Sequence, residues 1–503
     1  MALQIKLLKT CEPADILGVF IEESDVAAQL LNLPVQVDYL KQVVSDRKFK
    51  GAKGSVLCVP LSHANYKYLV LSGLGKAKND EPYIENLRRA VAEVVRVCEQ
   101  YSAKSLMVIL PKAQYFGVTG DYLVEHAAVA AHLANHKFDT YLTDINKKEI
   151  NLDLGFVLDD SFSDFTQTQT ALDKSVLISQ AVNQARQWID LPANHLTPTI
   201  LANKMVVAAQ DAGLKTTVFG EQEIIAMGMG GIHAVSRGSV EDAKLVIAEY
   251  NCGDSSAPTI ALVGKGILYD TGGLSIKPAQ SMETMKEDMA GAAAVMNAIC
   301  VIGKLKPKLN VIAVAPLAEN MPSGTAGRPG DIISFYNGKT AEVKNTDAEG
   351  RLILADALSY VVKNYQLDAV VDIATLTGAC EYALGNFFSA LISENHDLVA
   401  QVVAAGEVSG DRVWRLPFTD DYKSAMHSNI ADLSNIASGR FKAGTINGAT
   451  FLRNFVGETP WAHLDIANTA YNLGMLPYYR ADSATGVGVR LLVEIVMSFH
   501  KVN

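Results

Sequence analysis

The stretch "VGKGILYDTGGLSIKPAQSMETMKEDMAGAA", residues 263–293, reads as a strand, a glycine turn and a helix. Lys265 and Asp270 follow the end of a short apolar run, "DTGG" turns the chain, and Asp288 stands at the start of a run of alanine and glycine. A helix of such small residues approaches its neighbours closely. Strand ends and helix starts are where open α/β sheets place their sites.

The same alternation extends outward. Downstream and upstream of this stretch, "KLVIAEY", "TIALVGKGI", "LNVIAVAPL" and "AVVDIATL" are short apolar runs typical of buried strands. "DMAGAAAVMNAICVIG", "RLILADALSYVV" and "GATFLRNFV" separate them as helices. Nearer the start, "ILGVFI", "SVLCVPL", "YKYLVLSGLG" and "SLMVILP" are strand-like. "ENLRRAVAEVVRVCEQY" is an amphipathic helix with Leu87, Val91, Val94, Val95 and Cys98 on one face. The expected fold is therefore α/β. A smaller N-terminal α/β domain, residues 1–165, precedes a larger one, 166–503, with a central mixed sheet flanked by helices. The polar segment 159–175, "DDSFSDFTQTQTALDKS", is the expected boundary, followed by a long helix through "LISQAVNQARQWIDL" that "PANHLTP" ends.

With 503 residues the chain exceeds one core, and 49% hydrophobic with 19% charged residues is an ordinary globular balance. A net charge of −10 disfavours nucleic acid as an obligate partner. No run of uncharged apolar residues suggests a membrane span, and "MALQIKLLKTCEPAD" is not a signal peptide because Lys6 and Lys9 interrupt it. Six scattered cysteines read as buried thiols of a reducing compartment, so a cytoplasmic protein is expected.

A second stretch completes a constellation. "NTDAEGRLILADAL", 345–358, sets Asp347 and Glu349 two positions apart before a helix. Thr346 and Glu349 fit a capping box, which is the structural reading of these residues. If the segment is extended, both acid side chains share one side, roughly 6.6 Å apart along the chain. Asp270, Asp288, Asp347 and Glu349 are four carboxylates at loop-to-element junctions, and Lys265 and Lys277 lie among them. Four converging acids repel unless cations sit between them. Two divalent ions would resolve this and clamp a bridging water. Other motifs fail: "NGKT" at 337–340 lacks the leading glycine of a P-loop and reads as a hairpin turn, and His132 and His136 lack the glutamate of a zincin. "HLD" at 463–465 reads as structural.

"VGKGILYDTGGLSIKP", "KEDMAGAAAV" and "NTDAEGRL" resemble the signature segments of the leucyl aminopeptidase (cytosol aminopeptidase) family, with weaker echoes from about Ala185 to Leu492. Leu268, Tyr269 and Thr271 depart from that family's usual residues without removing a candidate ligand. The resemblance implies a catalytic metallopeptidase domain over 166–503 and a homohexamer acting on peptides with a free N-terminus. It implies one metal on Lys265, Asp270, Asp288 and Glu349, and another on Asp270, Asp347 and Glu349. The ions would be Mn or Zn, or Mg. Lys277 and Arg351 would be the catalytic cations, with bicarbonate at Arg351, and a metal-bridging water would attack the peptide carbonyl. Met285, Asn345, Thr375 and Gly378 would line the substrate pocket, with leucine or another apolar side chain preferred. A Cys-Gly-type dipeptidase and an additional DNA-binding architectural role are the alternatives.

Overall fold

The computed structural model describes residues 3–35, 38–76, 83–143, 151–160, 162, 164–472 and 474–502. They form two compact units: Met1–Gln180 with Leu473–Ala481, and Ala181–Asn472 with Asp482–Asn503.

The first unit is built on six strands, β1 (Leu3–Leu8), β2 (Ala14–Glu22), β3 (Val56–Pro60), β4 (Tyr66–Gly75), β5 (Ser105–Ile109) and β6 (Leu152–Val157). Their order is β1-β6-β5-β2-β4-β3. All neighbours are parallel except β3, which runs antiparallel to β4 at the sheet edge. The four strand-like runs read from the sequence are β2 to β5. The amphipathic helix forms over Ile84–Gln100 and packs on the helix Gly120–Asn135, with its predicted apolar face buried. Leu17, Val19, Ile21, Leu57, Val59, Leu69 and Leu71 build a core on one sheet face.

The polar segment expected to be a boundary turns helical at Phe165 and is continuous with the helix Phe165–Asp190. Ser161 and Ser163 lie outside the described residues. Asp164 starts the helix by accepting from Gln167 N at 3.0 Å. Thr168 and Leu172, four apart, are buried while the polar residues between them are not, so a helical stripe hides in a polar composition. The two compact units divide inside this helix, between Gln180 and Ala181.

The second unit contains β7 (Lys215–Phe219), β8 (Lys244–Tyr250), β9 (Thr259–Gly264), β10 (Gly266–Asp270), β11 (Asn310–Asn320), β12 (Ile332–Ser334), β13 (Thr340–Glu342), β14 (Ala369–Ala374), β15 (Ser389–Ile392), β16 (Val413–Arg415), β17 (Leu433–Ser434) and β18 (Trp461–Asp465). The main sheet has the order β16-β15-β18-β14-β9-β11-β8-β7, with β10 also beside β11. It is mixed: β18, β14, β9 and β11 are parallel, while β8 and β7 add antiparallel at one side. β12 and β13 form the hairpin read from Asn337-Gly338, with Gly338 at φ 88°.

β9 and β10 both pair in parallel with β11 and are separated by Lys265 alone. At this break Lys265 N donates to Ile373 O (3.1 Å) and Lys265 O accepts from Ala292 N (2.8 Å). The helix Ala290–Leu305, buried from Ala290 to Gly303, runs against this point. A Cβ on Gly291 would stand 2.2 Å from Ile373 O, which is why the helix opens with residues this small. The segment Ala279–Leu305 is long and apolar enough to cross a membrane, but 89% of its most apolar window is buried inside the protein, as in a core helix.

Candidate metal centre

The C-terminal ends of β10 and β14, the start of the helix Gly350–Asn364 and the loop after β10 meet at one place. Lys265, in the break between β9 and β10, is 3% exposed. Its ammonium lies 2.7 Å from Asp288 Oδ1 and 2.8 Å from Glu349 Oε1, and it donates to Thr375 O at 2.8 Å. Lys277 forms a second bridge, 2.8 Å from Asp270 Oδ2 and 2.5 Å from Asp347 Oδ1. Carboxylate oxygens of Asp270, Asp347 and Glu349 lie within 4.8 Å of one another. The four acids and two lysines singled out in the sequence thus form one cluster.

Glycine is required at two turns of this cluster. Gly350 opens the helix where a Cβ would be 2.6 Å from Lys265 Cε. Gly272, at φ 84°, passes so close to Asp347 that a Cβ would be 2.8 Å from its Oδ1.

The expected capping box does not form. Glu349 occupies the N-cap position without a side-chain capping bond. The Thr346 hydroxyl instead donates to Gly272 O (2.7 Å) and accepts from Ser275 N (2.8 Å), tying the 345–350 turn to the loop after β10. Asn320, at the end of β11, donates from Nδ2 to both Asp270 Oδ1 (2.8 Å) and Thr346 O (3.0 Å).

The electrostatics follow from crowding. Burial favours neutral Lys265, but Asp288, Glu349 and Asp270 outweigh it and hold the ammonium protonated well above the usual lysine range. Lys277 is raised in the same way, against burial, chiefly by Asp270 and Glu349. Burial, with repulsion from the other carboxylates, raises Asp288 well above, and Glu349 above, its ordinary value, against the pull of Lys265. Asp347 is raised by burial, against Lys277.

The donor set fits divalent cations. Asp288 Oδ2 and Glu349 Oε2 are buried without a hydrogen-bond partner among the described residues, and all four carboxylates are hard oxygen donors. Unsatisfied buried carboxylate oxygens are costly unless a cation meets them.

Arg351 lies one helical step beyond. Its Nη1 donates to Asn435 O at 2.7 Å, while its buried Nε has no partner among the described residues. Burial draws its pKa down to about 10, against Glu349 and Asp465. Asn435 also donates to Asn345 O (2.6 Å) and, through Oδ1, accepts from Lys344 N (2.8 Å).

Two of the four pocket candidates, Thr375 and Asn345, bond to residues of this cluster. Thr375 supplies its carbonyl to Lys265 and its hydroxyl to Asp288 Oδ1 (2.7 Å), so it supports the cluster directly. Asn345 Oδ1 accepts from Asp347 N at 2.8 Å. Met285 is half-buried in the turn Met285–Met289, and Gly378 is exposed with open space where a side chain would go. Asn320 and Asn435 were not singled out from the sequence. His463 is fully buried, with Nδ1 2.6 Å from Asp372 Oδ1, an internal pair separate from the carboxylate cluster.

Residues 183–493 match the model of the cytosol aminopeptidase family, catalytic domain, and 16–144 match that family's N-terminal domain. A probable cytosol aminopeptidase of Alkaliphilus oremlandii (strain OhILAs) is 39% identical over 491 residues, 97% of each chain. One from Rickettsia peacockii (strain Rustic) is 36% identical over 493 residues, 96% of this chain and 97% of the relative. Among solved structures, the bottromycin maturation enzyme BotP superposes with a TM-score of 0.83 at 33% identity, covering 96% of this chain and 99% of that one. The same enzyme has been solved in complex with Mn.

Proposed function

The chain belongs to the cytosol aminopeptidase family, and from that premise we propose that it is a two-metal aminopeptidase releasing N-terminal residues, preferably leucine or other apolar ones, from peptides. The observation that carries this reading is the buried cluster itself: four carboxylates gathered on two lysines, with Asp288 Oδ2 and Glu349 Oε2 left without partners.

Lys265, Asp270, Asp288 and Glu349 would hold one ion, and Asp270, Asp347 and Glu349 the other, as Mn, Zn or Mg. Two such ions supply Lewis acidity when bound, acidifying the attacking water and polarising the peptide carbonyl. The remaining work falls to the chain. Lys265 would give up its proton to act as a ligand, as ligands to metals do. Lys277, the more exposed lysine, would face the oxygen on which negative charge develops, where a fixed cation is worth several kcal/mol. Arg351 is too basic to accept a proton. Its buried Nε, without a partner among the described residues, would help hold a bicarbonate ion, which would supply the proton acceptor that arginine cannot be. Asn345, Thr375, Met285 and Gly378 would bound the side-chain pocket, Gly378 leaving room for a bulky aliphatic group. A cytoplasmic homohexamer is part of the same proposal.

The test is hydrolysis of leucine p-nitroanilide by purified protein with Mn²⁺ or Zn²⁺, with and without chelator. Metal-restored, chelator-sensitive release is expected. No release, or release indifferent to chelation, refutes the two-metal reading. Faster turnover of Cys-Gly than of leucyl substrates would replace the apolar preference, and light scattering on the eluting protein reads the assembly.

A further inference from the structure

The edge of the first unit's sheet carries a feature that the peptidase chemistry does not use. Among the described residues β3 has a neighbour, β4, on one side only. In an antiparallel pair, alternate residues turn their backbone groups toward the partner strand. Gly73 N donates to Ser55 O and Leu61 N to Lys67 O, both at 2.8 Å, so the odd-numbered residues of this strand face β4. Val56, Cys58 and Pro60 therefore point their backbone groups outward. Pro60 has no N–H, and its carbonyl is taken by the Tyr39 hydroxyl at 2.6 Å, which closes that end of the edge. The N–H and C=O groups of Val56 and Cys58 remain, and neither residue bonds through them among the described residues.

This edge forms the floor of a cleft of about 1170 Å³. Arg47, Lys48, Lys50 and Arg96 line it, together with the carboxylates of Asp46 and Glu93. Arg47, Lys48 and Lys50 make no ion pair among the described residues, in a chain whose net charge is −10. Exposed edge strands are normally blunted by charge or covered. Here four cations face two carboxylates, and the cations without an ion pair among the described residues, Arg47, Lys48 and Lys50, lie beside two residues of open ladder.

We propose that this cleft is a docking site for an extended, acidic segment of another polypeptide, which adds to β3 as a further strand. The backbone groups of Val56 and Cys58 would pair with alternate residues of that segment, and its carboxylates would meet Arg47, Lys48 and Lys50. Open main-chain donors and acceptors favour a peptide over a nucleic acid, whose phosphates offer no strand to pair.

Fluorescence anisotropy on the full-length protein tests this. The probe is N-acetyl-Glu-Val-Asp-Val-Glu-Val-Asp with a C-terminal fluorophore, whose blocked amine separates the outcome from aminopeptidase activity. Saturable binding that weakens with salt is expected, with about a tenfold loss in the Lys48→Glu, Lys50→Glu double variant. N-methylation of one alternate set of peptide amides should abolish binding, and methylation of the other set should not. Equal effects of both sets, equal binding of a lysine-for-acid peptide, an unaffected double variant, or displacement by duplex DNA at physiological salt would overturn the proposal.

Discussion

Substituting Gly350 by alanine is expected to separate activity from stability. The added Cβ would stand 2.6 Å from Lys265 Cε and 2.7 Å from its Cδ and Nζ. Carbon atoms at rest are about 3.5 Å apart or more, so roughly 0.9 Å of movement is needed. An exposed lysine would absorb this by rotating away. Lys265 is 3% exposed and held at its tip by Asp288, Glu349 and Thr375 O, so its displacement carries these partners with it. A shift of about 1 Å in a catalytic constellation costs on the order of 100-fold in rate, equivalent to about 2.7 kcal/mol of barrier. Gly350 is the first residue of its helix, where alanine gains less than the ~1 kcal/mol of an interior position, so the gain offsets only part of the cost of the displaced contacts. Gly350→Ala should therefore lose about two decades of kcat/KM on leucine p-nitroanilide, a far larger effect than the modest fall in thermal midpoint expected from overpacking by about 1–3 kcal/mol. Gly324→Ala, where a Cβ meets nothing within 4 Å, is the control. Parent-level turnover in Gly350→Ala would refute the claim that Lys265 is fixed in the reacting geometry.

Other outcomes follow from the same contacts. Glu349→Ala should fold but not turn over, and plasma mass spectrometry after dialysis against Mn²⁺ should show fewer ions per subunit than the parent retains; parent-level activity would remove Glu349 from the ligand set. Asn320→Ala removes donors to both Asp270 and Thr346, so it should weaken Mn²⁺ retention, and unchanged retention would make Asn320 merely structural. Asp356→Asn sets an amide donor against the backbone N–H of Tyr336 or Ile232, a loss of about 1–3 kcal/mol seen as a lower thermal midpoint. Burial raises Asp356 to about 7, above its unfolded value near ~3.9. The folded chain then keeps a proton that the unfolded chain releases, so this group's contribution to stability falls as pH rises from about 4 to 7. Thermal midpoints across that range should slope less in Asp356→Asn than in the parent, and parallel slopes would contradict the assignment.

What the sequence revealed was set by range. The apolar runs and the glycine turns are local signals, and β2 to β5, β8, β9, β11 and β14 were legible from them. The acids and lysines were legible as a set because each sits at an element junction. Asn320 and Asn435 were not, because their work is done across the chain: Asn320 reaches Asp270 fifty positions away, and Asn435 reaches Asn345 ninety away. No periodicity marks an asparagine that serves a distant backbone group. The capping box failed for a related reason. Thr346 and Glu349 had the right local spacing, but each side chain found a stronger distant partner, Thr346 at Gly272 and Glu349 at Lys265. The start of the helix Phe165–Asp190 was hidden because few of its early residues are buried, and hydrophobic pattern is silent where a helix faces water on most sides.

The two lysines have the same charge and similar partners, yet their settings differ. Lys265 is anchored from its own backbone outward: its N–H and C=O are spent on Ile373 and Ala292, and its tip has three fixed partners. It cannot follow a moving charge. Lys277 springs from a loop, is 15% exposed, and binds Asp347, which is itself 31% exposed. Rotation about its side chain changes its partners without disturbing a strand or a helix. A rigid cation among buried carboxylates suits a group that holds its place, and a less constrained one at the open side suits a group that meets incoming substrate. Exchanging them should therefore not be symmetric. Lys277→Arg keeps charge and reach at an accessible site and should retain part of the turnover. Lys265→Arg has no room for a planar guanidinium beside Gly350 and should lose metal retention along with turnover. Equal retention in the two variants would show that position, rather than constraint, separates their roles.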